Sequence, residues 1–161
     1  MQYKSINLYT DGSCSNNQQQ KNTGGWGFIA FDVLQPDDKV EGQGVFKNTT
    51  NQKMELQACI EGLRQAVKRW GSDGNKINIA VYSDSAYLVN CITKEWYVAW
   101  EENGWHTARK TPVKNQKQWQ EILTLLRTTN IVEFNFYKVK AHAGNKWNIY
   151  VDALATNYKL R

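Results

Sequence analysis

The chain has 161 residues, 41% hydrophobic and 22% charged, enough to bury a core without disulfide staples or a structural metal. No run approaches the ~18 apolar residues of a membrane span, and Met1-Gln-Tyr-Lys-Ser-Ile lacks the basic stretch and apolar run of a secretory signal, which excludes an integral membrane protein and points to the cytoplasm. Twenty Lys+Arg against 15 Asp+Glu leave a net charge of +5, a weak pointer to a polyanionic partner.

In chain order, Lys4–Thr10 alternates as a strand, with Ile6 and Leu8 on one face, and Asp11-Gly12-Ser13 is expected to break it. A second apolar run, GWGFIAFDV, begins at Gly25 and ends at the turn signal Gln35-Pro36-Asp37-Asp38. Lys39–Lys47 returns as a third strand, so residues 4–47 read as an antiparallel meander. The period then becomes helical over Asn51–Trp70, where Leu56, Cys59, Ile60, Leu63, Ala66, Val67 and Trp70 recur on one stripe. Thr49, Thr50 and Asn51 supply capping side chains just before it.

Ile77–Tyr82 is nearly all apolar, as a central strand buried on both faces would be, and a parallel crossover joins it to the first strand. Short helices follow at Ala86–Ile92 and Lys94–Glu102, then a helix at Gln116–Arg127, a strand at Ile131–Val139 and a helix at Trp147–Lys159. With no repeat and no linker, residues 1–161 read as a single α/β domain. Cys14, Cys59 and Cys91 are odd in number and form no CxxC, which suits a reducing compartment and argues against a zinc ribbon.

The charge excess has an address. Between Trp105 and Lys117 stand Arg109, Lys110, Lys114, Lys117 and His106 without an acid; between Phe134 and Trp147 stand Lys138, Lys140, Lys146 and His142, again without one. Trp96, Tyr97, Trp100 and Trp105 precede or open the first run, and aromatic faces beside cations suit a nucleic-acid backbone. A solvated loop beside a core helix would share that composition.

The acids lie at element boundaries. Asp11 and Asp84 each follow a strand, and two such strands side by side would present both at one carboxyl edge. Glu55 falls in the first turns of the long helix, and Asp152 borders the buried stripe of the last one. Singly each has a plain structural role: a turn, a cap, an early-helix acid favoured by the helix dipole, a rim residue. Together they would repel and raise one another's pKa values. Divalent Mg²⁺, which prefers oxygen ligands, relieves that repulsion. Two such ions about 3.5–4 Å apart activate a water and stabilise the leaving oxygen of a phosphodiester.

The ordered motifs Tyr9-Thr10-Asp11-Gly12-Ser13, Thr49-Thr50-Asn51-Gln52-Lys53-Met54-Glu55-Leu56, Tyr82-Ser83-Asp84-Ser85, His142-Ala143-Gly144 and Asp152-Ala153-Leu154-Ala155 resemble type 1 ribonuclease H over essentially the whole chain. The resemblance implies the ribonuclease H-like fold: a five-stranded mixed sheet, an antiparallel meander then parallel strands, flanked by helices. It implies hydrolysis of the RNA strand of RNA–DNA hybrids, leaving 5′-phosphate and 3′-hydroxyl ends, with two Mg²⁺ per site when substrate is bound and Mn²⁺ as a substitute. Asp11, Glu55, Asp84 and Asp152 match the family's metal ligands, and His142 matches a loop histidine assigned to proton transfer or product release.

By the same resemblance, Cys14, Asn17, Asn51 and Gln52 follow the RNA strand in the minor groove, where the 2′-hydroxyl distinguishes RNA from DNA. Thr50 and Asn115 match a DNA-phosphate pocket, Tyr87 and Trp100 match aromatics along the deoxyriboses, and residues 94–117, with Trp96, Lys110 and Lys114, match a basic protrusion. The expected partner is a hybrid duplex, bound by a monomer. Three departures stand out: Ile149 after Asn148 where many members carry Glu, Ala86 after Asp84-Ser85 where bacterial members often carry Gln, and Asn48 where some place an arginine. A non-catalytic hybrid-binding module with the same fold would be expected to lack at least one carboxylate, yet all four positions are filled. A transposase- or integrase-like core would lack the compact basic protrusion.

Overall fold

The computed structural model describes residues 3–15, 22–141 and 143–160. Five strands form one sheet: β1 (Tyr3–Cys14), β2 (Thr23–Asp32), β3 (Lys39–Lys47), β4 (Lys76–Ser83) and β5 (Ile131–Lys138). Their order is β3-β2-β1-β4-β5. β1 pairs antiparallel with β2 and parallel with β4; β2–β3 is antiparallel and β4–β5 parallel. The mixed sheet expected from the sequence is the one observed. β1 does not break at Asp11-Gly12-Ser13. It runs to Cys14, pairing Asp11 with Gly27 and Cys14 with Gly24. A turn dipeptide is only a local preference, and a partner strand long enough to bond those residues overrides it.

Five helices flank the sheet: α1 (Asn51–Trp70), α2 (Ala86–Thr93), α3 (Trp96–Glu102), α4 (Gln116–Leu126) and α5 (Lys146–Thr156), the last followed by a 3-10 turn at Asn157–Leu160. Thr50 is the cap of α1: extended at φ −137°, it accepts the Lys53 N–H on its hydroxyl at 3.1 Å. Ser85, rather than Asp84, caps α2, accepting from the Leu88 N–H. α2 and α3 are separate because Glu95 sits in the left-handed region at φ 56°.

Two apolar layers hold these elements. On one face Ile6, Leu8, Ile79 and Val81 pack with Leu56, Ile60 and Leu63 of α1 and with Trp119 and Ile122 of α4. Leu8, Leu56, Ile60 and Leu63 are wholly excluded from water, each stabilising the fold by about 1.5–3 kcal/mol. On the other face Tyr9, Ile29 and Phe31 meet Val151 of α5. α5 rides close on β2: a Cβ on Gly25 would lie 2.2 Å from the Ala155 carbonyl oxygen. No helix among the described residues is long and apolar enough to cross a membrane.

Candidate active site

Three elements bring three carboxylates together. β1 carries Asp11, the first turns of α1 carry Glu55, and the residue after β4 is Asp84; one oxygen from each lies within 4.8 Å of the other two. The parallel β1–β4 pairing, Tyr9 opposite Tyr82, sets Asp11 and Asp84 at one edge, as the strand reading anticipated. Glu55 reaches them because Gly12 has no side chain. A Cβ there would stand 2.3 Å from the Glu55 backbone nitrogen, so α1 can touch β1 at this point. The fourth acid, Asp152, is half-buried on α5 outside this tight trio, and it interacts with Asp11 through a hydrogen bond and its charge.

The cluster is electrostatically loaded. Burial first, then the charge of Asp84 and the hydrogen bond and charge of Asp152, push the Asp11 carboxyl up to about 9. Burial followed by the charges of Asp11 and Asp84 holds Glu55 well above the usual carboxylate range, with the Gly12 N–H pulling the other way. Glu55 Oε2 is buried and has no hydrogen-bond partner. An unmatched buried oxygen facing two more carboxylates does not suit a hydrogen-bonded core; it suits a hard divalent cation. The residues present fit that ion.

Five of the predicted contact residues converge on a groove whose lining includes none of the four acids. Thr50, Asn51, Gln52, Lys114 and Asn115 line one open groove between the start of α1 and the start of α4, with Lys53 and Lys117. Asn115 is held left-handed at φ 59°, and its amide donates to the Tyr87 hydroxyl at 3.2 Å. The indole of Trp119 donates to the same hydroxyl at 2.8 Å, so Tyr87 ties the groove wall to the core. Trp100 is half-buried against Trp105 and Trp119. Trp96 on α3 and Lys110 beyond it are exposed. Cys14 is half-buried, its thiol directed to the Thr49 carbonyl at 3.6 Å. Asn17 and His142 lie outside the described residues.

The departures noted in the sequence are surface features: Ile149 and Ala86 are exposed, and Asn48 is exposed at φ 56°. Two residues position the site in ways that sequence reasoning missed. Gly12 looked like half of a turn. Asn22, the last of a polar run between the first two strands, is buried, accepting from the Thr49 N–H at 2.8 Å and donating to the Thr49 carbonyl at 2.9 Å. That two-point clamp fixes the loop that delivers Thr50 and Asn51.

The family model described as RNase H matches residues 3–159. A ribonuclease H of Syntrophomonas wolfei is 42% identical over 154 residues, covering 96% of this chain and 95% of its own. One from Acetivibrio thermocellus is 40% identical over 154 residues, covering 96% and 94%. Among solved structures, LC9-RNase H1, a type 1 RNase H with the type 2 active-site motif, superposes with a TM-score of 0.75 at 27% identity over 98% of this chain and 72% of that one. LC11-RNase H1 in complex with an RNA/DNA hybrid shares the fold, with a TM-score of 0.70 at 18% identity over 97% and 99%. With its sheet order, its converging carboxylates and these relatives in agreement, the chain belongs to the ribonuclease H family, as its resemblance to the type 1 members implied.

Proposed function

We propose that this protein is an endonuclease that cuts the RNA strand of RNA–DNA hybrids, with Asp11, Glu55, Asp84 and Asp152 as its catalytic carboxylates. The carrying observation is the close trio Asp11, Glu55 and Asp84, in which the buried Glu55 Oε2 has no hydrogen-bond partner. Those carboxylates would hold two divalent cations, Mg²⁺ or Mn²⁺, with Asp152 completing the set. When bound, the cations supply charge neutralisation at the scissile phosphodiester and acidity to the attacking water, leaving 5′-phosphate and 3′-hydroxyl ends.

The chain's own residues hold the duplex. Asn51 and Gln52, at the exposed start of α1, are placed to read 2′-hydroxyls in the minor groove, with Cys14 and Asn17 alongside. Thr50 and Asn115 grip a phosphate of the DNA strand, and Lys114 adds charge to the same groove. Tyr87 orients Asn115 and, with Trp100, presents apolar surface to the deoxyriboses. Trp96 and Lys110 extend the interface along the basic protrusion of residues 94–117. His142 serves proton transfer or product release.

Residues 1–161 act as one ribonuclease H domain and as a monomer. The three unpaired thiols suit a cytoplasmic setting. The test is a hybrid labelled on either strand, incubated with Mg²⁺ or with EDTA. Cleavage confined to the RNA strand, lost in EDTA and in Asp11→Asn, supports the reading. Binding without cleavage in Mg²⁺ and in Mn²⁺ would favour the non-catalytic hybrid-binding module.

A further inference from the structure

Four aromatic rings cross the sheet on the face that carries α5. Phe31 and Tyr9 stack at 6.3 Å between centroids, Tyr9 and Tyr82 at 4.6 Å, and Tyr82 and Tyr137 at 5.3 Å, with interplanar angles of 13°, 12° and 29°. One end of this stack is closed. Trp147 tilts over Phe31 at 5.0 Å and over Tyr9 at 6.5 Å. The other end is open, because Tyr137 lies on β5, the edge strand, and remains 47% exposed. Tyr82 is its one ring neighbour among the described residues, so the outer face of the phenol ring meets water.

The open end lies close to the carboxylates. Tyr9 precedes Asp11 by two residues and Tyr82 precedes Asp84 by two, so on the strands the rings form the next side-chain row on the same face. Two strand spacings and one two-residue step put the Tyr137 ring roughly 12 Å from the Asp11 row, a span that a few nucleotides of extended chain cover. The charge on this face suits a polyanion. Lys140 and Lys146 are exposed and make no ion pair among the described residues; Lys146 sits at the closed end, 4.8 Å from the Trp147 ring, while Lys138, next to Tyr137 on the strand, belongs to the opposite face. The one acid on this face of β5, Glu133, lies four residues back and accepts from the Asn135 amide at 3.3 Å.

We propose that the outer face of Tyr137 is a stacking platform for one unpaired nucleobase, in a single-stranded segment that adjoins the duplex at the carboxylates. The base becomes the fifth ring of the stack, and Lys140 and Lys146 draw its flanking phosphates along this face. Every base offers a π-face, so the platform recognises unpaired character rather than sequence. The adjoining duplex rests on the hybrid-cleaving reading above; the stacking itself does not.

The experiment uses the full chain with hybrids that are blunt or carry a single-stranded extension on either strand at either end, with 2-aminopurine in the extension. Binding is measured in Ca²⁺, and cleavage of the blunt hybrid in Mg²⁺. At least one extension polarity is expected to bind about five- to tenfold more tightly than the blunt hybrid, with quenched 2-aminopurine. Tyr137→Phe keeps both effects, Tyr137→Ala loses both, and blunt-hybrid cleavage is unchanged in each. Equal binding of blunt and extended hybrids at every polarity, or a preference that survives Tyr137→Ala, overturns the proposal. Should the blunt hybrid resist cleavage, the functional reading falls by itself. The quenching of a 2-aminopurine single strand by the native chain and not by Tyr137→Ala then still decides for or against the platform.

Discussion

Asp11 is pressed by burial and by two neighbouring carboxylates, and its neutral variant separates two effects. Asp11→Asn is expected to cut hydrolysis by about 10³-fold or more, since metal-centred charge stabilisation is worth several kcal/mol. The same variant is expected to stabilise the metal-free fold by about 1–2 kcal/mol at neutral pH. The sign follows from linkage: the Asp11 carboxyl rises from its ordinary 3.8 to about 9 on folding, so across that window the folded chain holds a proton the unfolded chain has released. Metal-free stability with respect to this group is full below pH 3.8, falls as pH climbs and levels off above about 9. Glu55, also raised, adds in the same direction. Thermal melts in EDTA from pH 4 to 8 check this: the advantage of Asp11→Asn should grow with pH, and a constant or shrinking difference would refute the electrostatic account. At this scale the sequence was informative about which acids matter, because Asp11, Glu55 and Asp84 each sit in a motif. It was silent on Asn22 and marked Gly12 only as part of a motif, because the roles of both arise from close approach and burial between segments distant in sequence.

Among the elements, the packing of α1 on β1 and the anchoring of α4 decide whether the site forms. Gly12→Ala drives a methyl into the Glu55 backbone; a cost of about 1–3 kcal/mol is expected from the overpacking. A drop in activity near 10²-fold should accompany it from a displaced Glu55, both readable from urea midpoints and steady-state rates. Trp119, wholly buried, anchors α4: Trp119→Ala should cost about 3–5 kcal/mol. Trp119→Phe keeps most of the packing and removes the indole donor to Tyr87, so it should raise KM more than it lowers kcat. The elements themselves were largely legible from periodicity, since α1 and α4 bury clear stripes and β4 is apolar. The overrun of β1 through Asp11-Gly12-Ser13 was not, because that extension depends on pairing with Gly24–Gly27 of another strand. The separation of α2 from α3 was expected, with the second helix set two residues early; the left-handed Glu95 that enforces it was not.

At the scale of the whole molecule, a net charge of +5 conceals an acidic centre beside basic flanks. Lys114 and Lys117 border the groove that also holds Thr50 and Asn115, while the acids gather at the β1–β4 edge. Neutralising Lys110 and Lys114 together should weaken hybrid binding across all sequences. It should also flatten the dependence of log affinity on log salt by about one unit for each phosphate no longer neutralised. An unchanged slope would remove these lysines from the interface. On the proposed reading, the acidic trio and the basic groove together make a strand-selective nuclease. The most direct measurement is product analysis of an RNA–DNA hybrid labelled separately on each strand, in Mg²⁺ and in EDTA. Cuts are expected in the RNA strand alone, with none in EDTA and none with Asp11→Asn. Cuts in the DNA strand, or cleavage that persists in EDTA, would contradict that reading.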